Sequence, residues 1–201
     1  MNNLSELKNS YLKKKNDIEK RLGEFKKPKN DKELFAELAF CLLTPQSRAK
    51  LCWLSIEKLK EKNLLFSDSA AIRPWLNCRF SKNKAEYIED ARKKFDELKQ
   101  NLDKNQEAIR EWLVRNIKGY GYKEASHFLR NIGFEDFAIL DRHILKNLKK
   151  YGVINDVPKA LTKKRYKEIE GKMKEFAEGI KIPLSHLDLL LWSSETGEIF
   201  K

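Results

Sequence analysis

The chain reads VRNIKGYGYKEASHFL from Val114 to Leu129, and this stretch decides the fold that we predict. The apolar spacing predicts one helix that ends at Ile117 and a second helix after a turn that contains Gly119 and Gly121. Because glycine has no Cβ atom, two glycines one residue apart let the backbone turn sharply and approach a ligand closely. The N–H groups of such a turn and of the following helix form a seat for a phosphate. An ordinary turn between packed helices is the alternative interpretation.

Apolar residues recur at helical spacing along almost all of the remaining chain. A first helix is predicted from Leu4 to Phe25, and Asp31 is predicted to cap the next one. Pro45 interrupts this second run, and helical spacing resumes at Ala49. Further helices are predicted at roughly 67–77, 82–101, 104–117, 122–132, 141–150, 162–178 and 184–194. Since no two-residue alternation of polar and apolar residues persists, the predicted fold is all-α.

The chain of 201 residues carries a large excess of positive charge. It contains 42 Lys and Arg residues against 30 Asp and Glu, which gives a formal net charge of +12 at pH 7. A basic surface attracts a polyanion such as DNA or RNA, because binding releases the counterions condensed on the phosphates. The acidic residues are interleaved with the basic ones, so the charged surface of a thermostable protein is the alternative interpretation.

Three cysteines, Cys41, Cys52 and Cys78, are too few and too irregularly spaced to form a disulfide framework. The longest apolar runs, such as Leu187 to Trp192, are far too short to span a bilayer. The first residues lack the apolar core of a signal peptide. We therefore expect a soluble, cytoplasmic protein with no membrane partner.

Lys123 and Asp141 are the candidate catalytic residues. Lys123 follows the glycine turn, where the positive end of the helix dipole and partial burial favour a neutral amine. A neutral lysine amine is a nucleophile that forms a Schiff base with the C1′ atom of a sugar. Asp141 follows Lys123 by 18 residues and is placed to cap a helix. Taken singly, the two residues are equally well explained as a surface lysine and an ordinary helix cap.

Together, the glycine turn, Lys123 and the later Asp141 resemble the signature of the helix-hairpin-helix DNA glycosylase superfamily. The resemblance implies a hairpin over about 107–132 and an attack by Lys123 on the anomeric carbon of a damaged nucleotide. It implies that Asp141 helps to deprotonate the lysine and opposes the positive charge that develops on the sugar. Members that carry this lysine also cleave the strand by β-elimination. The stretch before Asp141 departs from the family pattern, because it lacks the proline found there.

The cysteine positions separate this chain from some members of that superfamily. No cysteine follows Cys78, so the four-cysteine iron–sulfur cluster of the endonuclease III type cannot form. We therefore expect neither a cofactor nor a metal ion in the chemistry.

The C-terminal sequence narrows the resemblance further. Residues Leu184–Trp192 and Thr196–Lys201 resemble the tail of the compact type 2 8-oxoguanine DNA glycosylases, and the similarity spans most of the chain from Phe35 onward. The resemblance implies one glycosylase unit over residues 1–201, a two-lobed helical bundle with a cleft between the lobes. It also implies a monomeric base-excision repair enzyme that acts on double-stranded DNA containing an oxidised guanine, with both glycosylase and AP lyase activity.

The same resemblance implies a set of contacts with the lesion and with the DNA. Lys201, Trp192 and Asp188 are expected at the flipped base. A solvated chain end, core packing and an exposed carboxylate are the respective alternatives. Phe80 is expected to enter the base stack as a wedge, and Gln46 is expected to fill the gap that the flipped nucleotide leaves. An aromatic side chain packed in the core and an N-cap turn are the respective alternatives. Further DNA contacts are expected from Gly119, Gly121, Tyr122, Arg79, Lys82, Lys84 and Arg142.

Two other functions are compatible with the same sequence. A non-catalytic helix-hairpin-helix protein would bind DNA without regard to lesions and would leave the strand intact. A glycosylase for other oxidised bases, such as oxidised pyrimidines, would differ only in the lesion that it removes.

Overall fold

The computed structural model describes residues 2–201, and within this range its regular secondary structure consists of α-helices and one 3-10 turn at Arg73–Trp75, joined by loops. Because no strand occurs among these residues, the all-α prediction is confirmed. In chain order the helices are α1 (Asn2–Lys26), α2 (Asp31–Leu43), α3 (Ala49–Glu61), α4 (Ser69–Ile72), α5 (Ser81–Lys93), α6 (Phe95–Asn101), α7 (Gln106–Asn116), α8 (Tyr122–Asn131), α9 (Arg142–Lys150), α10 (Lys163–Ile180) and α11 (Leu184–Thr196).

The helices divide into two compact units. The hairpin unit is Pro28–Ile132, and the terminal unit combines the chain up to Lys27 with Gly133–Lys201.

Helix α2 is the central helix of the hairpin unit, and α3, α5 and α8 pack against it. Every residue from Leu34 to Leu43 is buried, because this stretch is apolar on nearly all of its faces. Its one charged side chain, Glu37, accepts a hydrogen bond from the Asn131 amide of α8 at 2.9 Å. A buried carboxylate needs such a partner, so this bond links the start of the unit to its last helix.

Helix α11 has the same central position in the terminal unit, where α1, α9 and α10 pack against it. The run from Leu187 to Leu191 is buried. Two polar contacts supplement the apolar packing of α1 on α11. The Tyr11 hydroxyl lies 3.0 Å from His186 Nδ1, and the Lys14 ammonium donates to the Ser193 hydroxyl at 3.0 Å.

The cap of α2 was predicted one residue too late. Asn30, not Asp31, is the N-cap: its side chain accepts the Glu33 N–H at 2.9 Å, and the Glu33 carboxylate accepts the Asn30 N–H at 3.0 Å. This reciprocal pair is a capping box. Asp31 is the first helical residue, where its negative charge is favourable at the positive end of the helix dipole.

Two predicted helices in the middle of the chain are shorter than expected. The stretch 67–77 forms only α4 and the following 3-10 turn, because Pro74 cannot donate a backbone hydrogen bond inside a helix. The stretch 82–101 is divided into α5 and α6 at Lys94, whose backbone leaves the helical conformation.

Within residues 2–201, no helix combines the length and the apolar character that a membrane span requires.

Candidate active site

The helix-hairpin-helix motif is formed by α7, the turn at residues 117–121 and α8. Gly119 has a φ of +90°, in the region that favours glycine. A Cβ atom at this position would lie 2.6 Å from Cδ2 of Tyr87, which is well inside van der Waals contact. The sharp turn predicted from the sequence is confirmed, and it depends on glycine both for its backbone angle and for space.

Tyr120, between the two glycines, fixes the turn to the centre of the hairpin unit. Its side chain is buried, and its hydroxyl donates to the Leu38 carbonyl of α2 at 2.9 Å. Burial raises the pKa of Tyr120 well above its ordinary value, so the phenol stays a neutral donor. The position of the turn is therefore set by α2 rather than by the two flanking helices alone.

Glu124 occupies the N-terminus of α8. One carboxylate oxygen accepts the Gly121 N–H at 3.0 Å, and the other lies 3.3 Å from Lys123 Nζ. The sequence analysis predicted that the N–H groups of the turn would be open to a phosphate, and for Gly121 this is wrong because Glu124 already accepts that N–H. The donors that remain for a phosphate are the other backbone N–H groups in the first turn of α8, which have no acceptor within the helix.

The amine of Lys123 is partly buried, with 23% of its side chain exposed. It lies within electrostatic range of a buried group on α5: burial lowers the pKa of Lys84, and the positive charge of Lys123 lowers it further. Lys123 is thus an amine at the start of α8 with one carboxylate beside it and a second cation close by. This setting differs from that of a fully solvated lysine.

In the terminal unit, Asp141 is the N-cap of α9, as predicted. Its Oδ1 atom accepts the backbone N–H groups of His143 at 2.7 Å and of Ile144 at 2.8 Å. Among the described residues, no hydrogen bond to Oδ2 occurs. One carboxylate oxygen is therefore used to hold the helix, and the other is available for chemistry.

The buried segment before Asp141, residues 137–140, belongs to no helix, so its backbone needs other partners. Side chains supply them: Glu170 accepts the Ala138 N–H, Asp188 accepts the Ile139 N–H, and the Tyr166 hydroxyl accepts the Leu140 N–H. The Tyr166 hydroxyl also donates to the Ala138 carbonyl at 2.6 Å. This network holds the chain rigidly as it enters α9.

Asp188 was expected at the flipped base, with an exposed carboxylate as the alternative; the structure rules out the alternative, because the side chain is buried. Only 2% of it is exposed, and its Oδ1 lies 3.1 Å from the Ile139 nitrogen. Its carboxylate holds the backbone of the segment before Asp141 and thereby helps to fix the position of Asp141. The predicted contact of Asp188 with the base stays a prediction beside this supporting role.

Trp192 and Lys201 lie at the C-terminal end of the terminal unit. Trp192 is half-buried on α11, which ends at Gly197 with a φ of +86°. Glu198–Lys201 continue as a half-buried, non-helical tail. The expected contacts of Trp192 and Lys201 with a flipped base stay predictions.

Gln46 and Phe80, the two residues of the hairpin unit that are predicted to enter the duplex, share an unusual backbone conformation. Their φ angles are +54° and +58°, in the left-handed region that residues other than glycine seldom adopt. Both side chains are exposed, and 55% of Phe80 is open to solvent. The Arg79 guanidinium lies 5.3 Å from the centre of the Phe80 ring.

Lys84 is wrongly predicted as a phosphate contact. Only 5% of it is exposed, and its ammonium group donates to the carbonyls of Leu43 and Pro45 and to the Ser47 hydroxyl. The amine has no N–H left for a phosphate. Four other predicted contacts occupy accessible positions: Arg79, Lys82 and Arg142 are exposed, and Tyr122 is half-buried with its hydroxyl donating to Glu111 at 2.7 Å.

The sequence analysis missed Glu124, Ser47 and the support of residues 137–140. A signal existed for Glu124, since a glutamate three residues after a helix N-cap is typical of a capping box. Lys84 also carried a signal, because it lies four residues before buried Ile88 on the same face of α5. The role of Ser47 has no comparable signal, since it depends on contacts with residues distant in the chain.

Within residues 2–201, no three His, Cys, Asp or Glu side chains come together in an arrangement that could hold a metal ion.

Comparisons with known proteins agree over nearly the whole chain. A family model described as 8-oxoguanine DNA glycosylase matches residues 18–182. A curated 8-oxoguanine DNA glycosylase/AP lyase of Fusobacterium nucleatum is 44% identical, over 98% of this chain and 97% of the relative. The crystal structure of the 8-oxoguanine DNA glycosylase of Thermotoga maritima superposes with a TM-score of 0.92 at 36% identity, covering 98% of each chain. The Methanocaldococcus jannaschii 8-oxoguanine glycosylase/lyase, in complex with a 15mer DNA containing 8-oxoguanine, gives a TM-score of 0.91 at 37% identity, covering 100% of each chain.

Proposed function

This chain belongs to the 8-oxoguanine DNA glycosylase family, and from that membership we propose that it removes 8-oxoguanine from double-stranded DNA and then cleaves the strand as an AP lyase. The relatives that it matches at 37–44% identity carry this activity in their names. The net charge of +12 suits a DNA partner. The observation that carries the proposal is the amine of Lys123, half-buried at the start of α8 beside the Glu124 carboxylate.

Lys123 is the nucleophile of the proposed reaction. Its neutral amine attacks C1′ of the damaged nucleotide, the C1′–N9 bond breaks, and the base leaves with the electron pair and a proton. The sugar ring opens as the lysine nitrogen forms an imine with C1′. Loss of a C2′ proton then expels the 3′ phosphate by cleavage of the C3′–O bond, and hydrolysis of the imine frees the enzyme. Glu124, 3.3 Å from the amine, is placed to accept the proton that Lys123 must lose first.

Asp141 supplies a negative charge to the sugar. As the base departs, positive charge develops on the sugar ring, and a carboxylate facing it lowers the barrier. Oδ1 is committed to the cap of α9, so Oδ2 has this role in our proposal. The buried network of Glu170, Tyr166 and Asp188 keeps the segment before Asp141 in place.

The remaining site residues bind the DNA or test the base. The hairpin turn with Gly119 and Gly121 approaches a backbone phosphate, and Phe80 and Gln46 enter the duplex at the lesion. Further backbone contacts come from Tyr122, Arg79, Lys82 and Arg142. Trp192 stacks on the flipped base, and Lys201 distinguishes 8-oxoguanine from guanine. We further propose that the enzyme acts on chromosomal DNA as a monomer, in the cytoplasm.

Lesion specificity is tested by incubating the protein with otherwise identical duplexes that carry 8-oxoguanine, an oxidised pyrimidine or undamaged guanine. Hot alkali reveals base removal, and untreated samples reveal strand cleavage by the enzyme itself. We expect both products on 8-oxoguanine and neither on guanine. Faster removal of the pyrimidine would make the chain a glycosylase for other bases, and tight binding without either product would make it a non-catalytic DNA-binding protein.

A further inference from the structure

One buried lysine ties together two exposed loops of the hairpin unit. The Gln46 loop, residues 44–48, joins α2 to α3, and the Phe80 loop, residues 76–80, precedes α5. Lys84 lies on the first turn of α5 and extends its ammonium group to the base of the Gln46 loop. The three acceptors of this group are the Leu43 carbonyl at 2.7 Å, the Pro45 carbonyl at 2.7 Å and the Ser47 hydroxyl at 3.0 Å.

The Ser47 hydroxyl connects the two loops through its hydrogen bonds. It accepts hydrogen bonds from Lys84 and from the backbone N–H of Arg79 at 3.1 Å. It donates in turn to the Pro45 carbonyl at 3.3 Å. Since Arg79 directly precedes Phe80, and Ser47 directly follows Gln46, a single hydroxyl sets the spacing between the two exposed side chains.

Burying a charged group at this position costs free energy. Desolvation penalises the ammonium, and burial accordingly lowers the pKa of Lys84. The three hydrogen bonds and the negative end of the α2 dipole at Leu43 offset that cost. An apolar side chain of similar volume would stabilise a fold equally well or better, so a buried lysine with every N–H engaged indicates a geometric requirement.

The two side chains that this group fixes are held in strained conformations. Gln46 and Phe80 both adopt left-handed backbone angles, which are unfavourable for a residue with a Cβ atom. Phe80 also leaves 55% of an aromatic side chain in water. Backbone strain and apolar exposure occur together at these two neighbouring loops. This indicates that the two exposed side chains, Gln46 and Phe80, have a function as a pair.

We propose that Lys84 is a positioning residue that holds Gln46 and Phe80 at a fixed separation, so that the two enter the duplex together when the damaged base leaves the stack. This inference rests on the proposed function and adds a residue that does not itself touch DNA. Loss of the tie should impair extrusion of a stacked base and leave the chemistry of Lys123 largely intact.

The test compares two reactions of one protein, the Lys84→Met variant. Excision of 8-oxoguanine paired with cytosine requires extrusion, whereas cleavage at a preformed abasic site requires the Lys123 chemistry without a base to unstack. Because a misplacement of about 1 Å can cost about 100-fold, we expect single-turnover excision to fall about 10- to 100-fold. Cleavage at the abasic site should fall less than excision does, although Lys84→Met also removes a positive charge near Lys123; Ser47→Ala keeps that charge and should leave abasic-site cleavage within about threefold of wild type.

Two further variants serve as controls. Lys93→Met removes a lysine from the same helix whose ammonium pairs with Glu89 and Asp90 at the surface, and it should change neither rate. Ser47→Ala removes the connecting hydroxyl and keeps Lys84, so it should reduce excision selectively but by a smaller factor. It also gives a second route to the answer if Lys84→Met fails to fold. Equal losses in both reactions, or no loss of excision in either variant, would overturn the proposal.

A measurement without chemistry separates this inference from the proposed function. A 2-aminopurine base placed beside the lesion becomes more fluorescent when its neighbour leaves the stack. We expect wild type to produce the increase and Lys84→Met to lose most of it; an equal increase in both would contradict a positioning role. If wild type extruded the base but released no 8-oxoguanine, the proposed function would fail and the role of Lys84 would stand.

Discussion

Asp141 caps α9 and, in our proposal, also opposes the positive charge on the sugar, and substitution can separate the two functions. Asparagine keeps an oxygen to accept the His143 and Ile144 N–H groups, so Asp141→Asn should retain the stability of wild type within about 0.5 kcal/mol. It loses the negative charge that faces the sugar, and we expect base removal to slow by at least about 100-fold. Single-turnover kinetics and urea unfolding on the same preparation measure the two effects.

Asp141→Ala is the matched variant, because it removes both functions. We expect a similar loss of rate together with about 1 kcal/mol less stability, the usual cost of an N-cap. An Asp141→Asn protein that was as unstable as the alanine variant would show that the lost rate reflects a damaged cap rather than a missing charge.

Glu124 is the second carboxylate with two contacts, and our proposal gives its negative charge a role in the chemistry. Glutamine can still accept the Gly121 N–H, but it cannot take a proton from Lys123. We therefore expect Glu124→Gln to slow Schiff-base formation at least about tenfold with little change in melting temperature. Rapid-quench trapping of the covalent intermediate measures that rate.

Glu33→Gln is the control for Glu124, since Glu33 accepts the N-cap amide of α2 in the same capping-box geometry. Its substitution reports the effect of neutralising a cap glutamate away from Lys123 and should leave trapping unchanged. If Glu124→Gln behaved like Glu33→Gln, Glu124 would be only a helix cap.

The hairpin turn is the structural element whose sequence is most constrained. Gly119→Ala places a Cβ atom at a φ of +90° and within 2.6 Å of the Tyr87 ring. We expect it to lower stability by more than about 1 kcal/mol and to weaken DNA binding, because the turn must shift away from α5. Denaturant unfolding and fluorescence anisotropy with a labelled duplex check the two effects.

Gly152→Ala provides the comparison for strain without a clash. Gly152 has a φ of +73°, and nothing lies within 4 Å of a Cβ atom built there. Its substitution should lower stability less than Gly119→Ala does and leave DNA binding unchanged. Equal stability losses for the two variants would mean that the Tyr87 contact contributes nothing.

The C-terminal tail gives a prediction about selectivity. If the last residue reads the lesion, two or three residues added after Lys201 should displace its carboxylate and ammonium from the base. We expect the ratio of 8-oxoguanine excision to abasic-site cleavage to fall at least about tenfold, because the second reaction needs no base contact. Lys201→Ala without an extension tests the side chain alone. An extended protein with an unchanged ratio would remove Lys201 from recognition.

Much of the fold could be predicted from the sequence because its signals are local. Helical spacing, the glycine turn and the cap at Asp141 each depend on residues within a few positions of one another. The errors have physical causes as well. Asn30 and Asp31 are both good caps, and periodicity alone does not report the effect of Pro74 or the break at Lys94.

The candidate site was less predictable, since its supporting contacts join distant parts of the chain. The tie between Ser47 and Arg79 spans 32 residues, and the Asp188 contact with Ile139 spans 49. A carboxylate or an ammonium has the same appearance in the sequence whether it lies in water or under a loop. Lys84 and Asp188 were therefore assigned to the ligand although the fold uses them internally.

The proposed function of the whole molecule depends on Lys123 as the nucleophile, because the protein's excess of positive charge alone would suit many DNA-binding proteins. Trapping with sodium borohydride on a duplex containing 8-oxoguanine, followed by protease digestion and mass spectrometry, identifies the residue joined to the sugar. We predict a reduced adduct on Lys123, and no adduct with the Lys123→Gln variant, which should still bind the duplex. An adduct on any other amine, or undiminished trapping by the variant, would contradict the account.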